Sequence, residues 1–335
     1  MMLASLAFTA GILGQSPAAQ QPPQSAVVLP VTVAVTVLGE DGKSIPDLRQ
    51  QDFRVLQDEV PQTIAGFDQG HTPITAAVLL EFASSDLSSG VANDFAVASD
   101  GFAQTLAKDD KLALITYDNR THVVQDFTKD KGAFHSSIAA LKSGTAMSAE
   151  TNLFDALCDT LDRLETMDGR KYLVLVSSGR DTSSRKSLDE VLKKVQGSDV
   201  VIYSVNVVPA LRTHLESHGQ SRALCPVTDF SCSTTLAVAE NLMRSLASMS
   251  GGKLYAPPSE ASMGDAFANI GQTVRHCYSI SYHPSNSAQD GLFRKIRVKL
   301  VDETGNPLRL KDSGGKDVKY RIVCRDGYKA KQRLR

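Results

Sequence analysis

The sequence of 335 residues has no excess of charge of either sign. Lysine and arginine number 36, aspartate and glutamate number 37, and the formal net charge is −1 at pH 7. Proteins that bind nucleic acid usually present a strong positive field to the phosphates. No such field is indicated here, so no nucleic-acid partner is expected.

Long apolar runs are also missing. The apolar run near the start, Leu3 to Leu13, is shorter than the ~20 residues that a membrane-spanning helix needs, and no later stretch reaches that length. No transmembrane segment is therefore expected.

Common catalytic motifs are absent as well. The sequence contains no Gly-x-Ser-x-Gly elbow, no Gly-x-Gly-x-x-Gly fingerprint and no Walker loop. Gly251-Gly252-Lys253 lacks the upstream glycine of a phosphate-binding loop and is predicted to end a helix. We therefore expect neither an enzyme nor a bound cofactor, while a hydrolase with a dispersed site stays open as an alternative.

Cysteines are few, and their number is odd, which leaves at least one thiol unpaired: Cys158, Cys225, Cys232, Cys277 and Cys324. A disulfide between Cys225 and Cys232 is predicted, because an oxidising compartment permits it. The alternative is a zinc site that those two cysteines share with His214 and His218. A pairing of Cys277 with Cys324 stays open.

The start of the chain indicates the compartment. Residues 1–19 combine the apolar run with small residues that end in Ala18-Ala19, which is typical of a secretory signal peptide. Residues 20–30, rich in Gln and Pro, are predicted to be a flexible leader. We expect a periplasmic or extracellular protein; the alternative is a disordered apolar tail.

The order of predicted elements indicates an α/β fold. Residues 31–70 form an N-terminal β module, and residues 73–276 alternate buried strands with helices, which predicts a doubly wound, mostly parallel sheet with helices on both faces. Residues 207–234 are predicted to be an inserted surface loop. The strands of residues 277–328 are expected to pack with the N-terminal module.

Three segments should meet at one edge of this sheet, because ligands of open parallel sheets lie beyond the carboxyl ends of the strands. The first begins at Glu81 and runs to Ser85. The second is Thr151 to Leu157, and the third follows the strand that ends at Ser177 and reaches Asp181.

These three segments, in this order, resemble the von Willebrand factor A (VWA) fold. The Thr-x-Leu-x-Asp-Ala-Leu pattern is matched at residues 151–157. The flanks resemble the "VWFA-related" exported proteins first grouped in Acidobacteria, at Asp41-Gly42-Lys43, Leu48, residues 52–56, Gln62, Phe67, residues 278–285, residues 293–298 and Asp326-Gly327-Tyr328. The resemblance covers residues 30–330.

The resemblance implies a Mg²⁺ site that is degenerate in this chain. The family supplies an Asp-x-Ser-x-Ser loop, a Thr and a later Asp, whereas this chain has Glu81, Ala83 and Ser178 at three of those positions. The remaining candidate ligands are Glu81, Ser85 and Thr151. Too few oxygen ligands remain for a cation that demands octahedral geometry, so Mg²⁺ is possible but not expected. Alternatively, these residues cap helices and fix loops.

The leading functional hypothesis is a protein-binding module whose partner contacts this edge of the sheet. The candidate contact residues are Ser84, Asp86, Asn152, Ser178, Arg180 and Asp181. The alternatives are a Mg²⁺-dependent adhesion-type binder, the hydrolase mentioned above and a structural component of the envelope.

Overall fold

The computed structural model describes residues 30–83, 91–141, 148–219, 230–259, 261–311 and 314–332. The predicted signal peptide and nearly all of the predicted leader lie outside these ranges. Their cleavage and the export that they imply stay predictions.

Sixteen strands and seven helices make up the described part of the chain. The strands are β1 (Val31–Gly39), β2 (Phe53–Gln57), β3 (Val60–Gln62), β4 (Ile64–Gln69), β5 (Ile74–Glu81), β6 (Lys111–Tyr117), β7 (Thr121–Thr128), β8 (Arg170–Ser177), β9 (Val201–Asn206), β10 (Leu254–Tyr255), β11 (Tyr278–Tyr282), β12 (Phe293–Leu300), β13 (Leu310–Lys311), β14 (Asp317–Val318), β15 (Tyr320–Val323) and β16 (Gly327–Lys329). The helices are α1 (Val91–Thr105), α2 (Lys131–Leu141), α3 (Leu153–Glu165), α4 (Leu188–Gly197), α5 (Val208–Ser217), α6 (Phe230–Ser250) and α7 (Ala261–Arg275).

The central sheet has six strands in the order β10-β9-β8-β5-β6-β7. All neighbours are parallel except β6 and β7, which are antiparallel. Every residue of β5 is buried, as expected for a strand whose two faces are both covered by helices. The predicted mixed α/β fold with a mostly parallel sheet is confirmed.

Two hydrophobic cores lie on opposite faces of this sheet. Side chains of β5 alternate between them, because successive residues of a strand point to opposite faces: Ala76 and Val78 pack with α1, α2, α5 and α7, while Ala77 and Leu79 pack with α3, α4 and α6. The alternation explains how one continuous apolar run fills both cores.

The first and last parts of the chain form a β module beside the central sheet. Two antiparallel sheets, β15-β1-β11-β4 and β16-β12-β2-β3, enclose a third core. The Phe53 and Tyr278 rings pack in that core with centroids 5.0 Å apart. The predicted association of the N-terminal and C-terminal strands is confirmed.

The predicted surface loop at 207–234 is wrong for most of its described length. Helix α5 occupies Val208–Ser217, and α6 already begins at Phe230. Leu211 and Leu215 are four residues apart and both buried, so they anchor one face of α5. Pro209 favours a loop in the sequence, but it lies in the first turn of α5. Backbone N–H groups there have no acceptor within the helix, so a proline removes no helical hydrogen bond.

A buried arginine ties the β module to the α/β part of the chain. The Arg325 guanidinium donates hydrogen bonds to the carbonyl oxygens of Gln196 and Ser198 at 2.8 Å each, and of Gly327 at 2.7 Å. The first two carbonyls lie at the end of α4, where the helix dipole favours a cation. This contact orients α4 against the strand that follows Arg325.

Cys277 and Cys324 are both free thiols. Strand β1 lies between β11 and β15, the strands that these residues flank. Strands two positions apart are separated by roughly 9–10 Å, which exceeds the Cα distance of a disulfide. Cys158 is a buried free thiol in α3. Cys225 lies outside the described residues, so its predicted disulfide with Cys232 and the alternative zinc site stay predictions.

In the described part of the chain, no helix combines the length and the hydropathy needed to cross a membrane.

Candidate functional site

Three parallel strands end beside one another at the carboxyl edge of the central sheet. Glu81 is the partner of Tyr117 in the register of β5 and β6, and Leu80 is the partner of Val176 in that of β5 and β8. Ser177, the next residue of β8, therefore reaches the same edge. Parallel pairing thus brings together polar side chains that are far apart in the sequence.

These residues form a closed cluster around the carboxylate of Glu81, here called the Glu81 cluster: Glu81, Tyr117, Ser177 and Ser178. Oε2 of Glu81 accepts hydrogen bonds from Ser178 N at 2.7 Å and Ser177 Oγ at 2.8 Å. Ser178 Oγ lies 3.0 Å from both carboxylate oxygens, and the hydroxyl of Tyr117 lies 3.2 Å from Oε2. Each donor comes from the protein itself, so the carboxylate is satisfied internally.

Burial shifts the acid–base properties of the cluster. Glu81 is 5% exposed, and this desolvation raises the pKa of its carboxyl above 4.5, although the hydrogen bonds from Ser178, Ser177 and Tyr117 oppose the rise. Burial and the charge of Glu81 raise the pKa of the Tyr117 phenol well above its ordinary value. Tyr117 therefore keeps its proton at neutral pH and acts as a donor.

The raised pKa of Glu81 predicts a pH-dependent contribution to stability. The folded state holds the proton of Glu81 more tightly than the unfolded state, so this contribution is present below pH 4.5 and is lost as pH rises through the folded pKa. Compared with a Glu81→Gln variant, the wild type should lose stability over that interval. Urea unfolding of both proteins at a series of pH values measures the difference. If the unfolding free energies of the two proteins changed with pH in the same way, the raised pKa of Glu81 would be contradicted.

The Thr151 segment is held to the loop that follows β8. Thr151 Oγ1 donates to the carbonyl of Arg180 at 2.9 Å, and the Thr151 amide donates to Thr182 Oγ1 at 2.8 Å. Asp181 Oδ1 accepts from the amide of Phe154 at 3.1 Å. Asp181 thereby satisfies a donor in the first turn of α3, where backbone amides lack partners within the helix.

Asp118, directly after β6, joins the same edge and was not singled out from the sequence. Its carbonyl accepts from the amide of Asn152 at 2.7 Å, and its carboxylate accepts from the amides of Arg120 and Ser148 at 2.9 and 3.2 Å. Asn152 Oδ1 is buried and has no hydrogen-bond partner among the residues that the structure describes. A sequence signal did exist: Tyr117 and Asp118 end a buried strand just as Glu81 does.

The loop between Ser178 and Arg180 depends on a glycine. Gly179 has a φ of +78°, and a Cβ atom there would lie 2.6 Å from the carbonyl oxygen of Ala239 in α6. A side chain would therefore both strain the backbone and collide with the helix. The glycine lets the loop turn tightly enough for Ser178 to reach Glu81.

The structure assembles the described candidate residues into two groups. Glu81 and Ser178 belong to the Glu81 cluster, while Thr151 and Asp181 link the start of α3 to the loop after β8. The side chain of Arg180 is exposed. The remaining candidates, Ser84, Ser85 and Asp86, lie outside the described residues.

The arrangement lacks the features of a nucleophilic centre. The described hydrogen-bond partners of the Ser177 hydroxyl are Tyr117, Glu81 and the amide of Gly179, and none of them is a histidine base. Such a base normally activates a catalytic serine. The cluster instead fixes the ends of three strands and the loop above them.

Several solved structures resemble the fold at low identity. The PilB minor pilin from Streptococcus sanguinis matches with 12% identity and a TM-score of 0.43 over 62% of this chain and 63% of that chain, less than two thirds of the pilin. The vWF domain of the type V pili tip protein Mfa5 from Porphyromonas gingivalis matches with 14% identity and a TM-score of 0.39 over 61% and 95%. A von Willebrand factor type A protein from Catenulispora acidiphila matches with 11% identity and a TM-score of 0.44 over 90% and 75%.

Family membership comes from the sequence itself. A search of curated proteins gives no match. The model of the von Willebrand factor type A domain matches residues 84–269, more than half of the chain. Its limits include α1 to α6 and most of α7. The chain belongs to the von Willebrand factor type A domain family.

Proposed function

We propose that this chain is an exported protein-binding module, not an enzyme, and that it contacts its partner through the carboxyl edge of the central sheet without a metal ion at Glu81. The edge carries the exposed Arg180 and the loop before α3. The proposal includes membership of the VWFA-related exported group and a metal site that has degenerated.

One observation carries the metal-independent part of this proposal. The carboxylate of Glu81, which the resemblance aligns with the family's first aspartate, is engaged by the amide and hydroxyl of Ser178 and by the hydroxyls of Ser177 and Tyr117. A cation bound there would have to displace these donors. Ser177 and Tyr117 are buried and Ser178 is half-buried, so water would replace few of the hydrogen bonds that these donors lose.

The neighbouring residues also fit a divalent cation poorly. Ala83 provides no oxygen from its side chain, Ser178 provides a hydroxyl in place of a carboxylate, and the proton of the Thr151 hydroxyl is directed at the carbonyl of Arg180. Among the described residues, no group of three or more His, Cys, Asp or Glu side chains is placed to hold a metal. Mg²⁺ requires several oxygen ligands in near-octahedral geometry.

The surface at this edge suits contact with a protein better than chemistry on a small molecule. In the Glu81 cluster, Glu81, Tyr117 and Ser177 are buried, Ser178 is half-buried, and the polar groups satisfy one another, so the cluster presents no unpaired base to solvent. The described loops above it present mixed polar side chains, including the exposed Arg180. Arginine is enriched where proteins meet, because its flat guanidinium forms several hydrogen bonds at once.

Titration with Mg²⁺ and Mn²⁺ tests the metal-independent part. We expect no saturable binding heat below about 1 mM metal, because water would have to supply most of the coordination shell. Thermal melting should be unchanged by chelator, since tight binding to the folded state necessarily raises the melting temperature. A low micromolar dissociation constant with a metal-dependent rise in melting temperature would contradict the proposal.

A double variant provides the matched control for that titration. Ala83→Ser with Ser178→Asp returns the two oxygen ligands that the family pattern supplies. If ligand loss alone abolished the site, this variant should bind Mg²⁺ measurably while the wild type does not. If the variant also fails, the loop geometry has changed as well, and the edge is a plain protein surface.

A further inference from the structure

A second cleft lies far from the carboxyl edge, where the central sheet meets the β module. Its volume is about 630 Å³, within the range of ~300–1,000 Å³ that is common for ligand sites. Lys171, near the start of β8, lines it, whereas Ser177 ends that strand at the other edge. Six residue steps of about 3.3 Å separate the two positions by roughly 20 Å.

The charges that line this cleft are mostly positive. The cationic residues are Lys171, Arg325, Lys329 and Lys331, and the acidic residues are Glu165 and Asp199. Both acids already have partners: Lys171 Nζ lies 3.2 Å from Asp199 Oδ2, and Lys194 Nζ lies 2.9 Å from Glu165 Oε2.

Three cations in the cleft make no ion pair with a carboxylate of any described residue. Arg325 is buried and donates its hydrogen bonds to backbone carbonyls, which carry no negative charge to neutralise the guanidinium. Lys329 and Lys331 make no ion pair with any described residue. Lys329 ends β16 and Lys331 follows two residues later, so the two lysines can share one side of the extended chain, because alternate residues of such a chain point the same way.

A second segment of the lining carries groups that suit a peptide backbone. It comprises Pro284 and residues 286–289, which follow β11, and it includes exposed side chains of Ser287 and Gln289. A hydroxyl and an amide side chain can each donate to and accept from peptide groups. The cleft thus combines uncompensated positive charge with uncharged hydrogen-bonding groups.

We propose that this cleft binds an extended acidic segment of a partner protein, through Lys329 and Lys331. Charge complementarity identifies the occupant. The chain's own undescribed ends do not fit, because residues 1–29 contain no acidic residue and residues 333–335 are Arg-Leu-Arg. A peptide fits better than a phosphate polymer, because the hydroxyl of Ser287 and the side-chain amide of Gln289 can form hydrogen bonds with peptide groups. This site is independent of the carboxyl edge, so it does not rest on the function proposed above.

Fluorescence polarisation with the full chain tests the proposal. The probe is a labelled octapeptide of alternating glutamate and serine, and the matched peptide carries glutamine in place of glutamate. We expect the glutamate peptide to bind at least about 10-fold more tightly than the glutamine peptide, with an affinity that falls as salt rises. The double variant Lys329→Glu with Lys331→Glu should weaken binding of the glutamate peptide by about 10-fold or more.

The control pair is Lys108→Glu with Lys299→Glu. Both lysines are exposed, neither lines the cleft, and the change in net charge is the same as in the cleft pair. Equal weakening by the two pairs would overturn the proposal, because a general field would then explain the binding. Absence of binding by the wild type, or tighter binding of a single-stranded oligonucleotide, would also overturn it. An Arg180→Glu variant should bind the peptide normally, which separates this test from any failure at the carboxyl edge.

Discussion

Replacing Arg325 with methionine is expected to lower the free energy of unfolding by about 3–4 kcal/mol. The change removes a buried guanidinium that donates to the carbonyls of Gln196, Ser198 and Gly327. Methionine fills part of the volume but leaves these acceptors without a donor. Burial lowers the pKa of Arg325, yet a guanidinium stays charged at any physiological pH, so the loss should be insensitive to pH near neutrality.

Chemical denaturation followed by circular dichroism measures this loss. Arg321→Met is the matched control, because Arg321 lies four residues earlier in β15 and its side chain is exposed; we expect a change below about 0.5 kcal/mol. Hydrogen exchange should also become faster at residues 196–198 and in β16. Equal effects of the two substitutions would contradict the role given to Arg325 in joining the β module to α4.

Replacing Glu81 with leucine is expected to cost about 2–4 kcal/mol, in the presence or absence of metal. Without the carboxylate, the amide and the hydroxyl of the half-buried Ser178 lose their acceptor. Ser177 and Tyr117 keep each other as partners, since their oxygens lie 2.7 Å apart, and removing a desolvated carboxylate offsets part of the loss. These two effects make the expected loss of unfolding free energy smaller than it would be if every donor of the cluster lost its acceptor.

Thermal and urea unfolding with and without chelator test that expectation. Glu150→Leu is the control, since Glu150 lies near the same edge of the sheet but is exposed. If Glu81 holds the loop by hydrogen bonds alone, chelator should change neither the wild type nor the variant. If chelator lowers the stability of the wild type but leaves that of the Glu81→Leu variant unchanged, a metal ion bound at Glu81 stabilises the fold instead.

Much of the fold follows from sequence periodicity, and two omissions show its limits. The short apolar runs at residues 111–117 and 278–282 are typical of strands, and the structure has β6 and β11 at these residues. Helix α2 was missed because it buries just Phe134 and Ile138, which gives a weak amphipathic pattern. Helix α7 was missed although Met263, Phe267 and Ile270 mark a clear apolar face.

The sequence predicts where the candidate site lies in the fold, but not which hydrogen bonds its residues form. The rule for parallel sheets locates Glu81 and the loop after β8 at one edge. That Ser178 donates to Glu81 depends on the register between β5 and β8 and on the turn at Gly179, and a single sequence specifies neither. The cleft proposed to bind a peptide could not be predicted from the sequence, because the residues that line it come from segments that are distant in the chain.

The most direct test of the central claim is the affinity of a partner protein, isolated from the native cells by affinity to this chain. It is measured with roughly 5–10 mM Mg²⁺, which saturates a millimolar site, and again in excess chelator. We predict equal dissociation constants in the two conditions, and about a 10-fold weaker one for Arg180→Glu, because this exposed cation lies on the proposed contact surface. The Arg54→Glu control in the β module should bind as the wild type does. Binding that disappears in chelator and returns with Mg²⁺ would contradict the account.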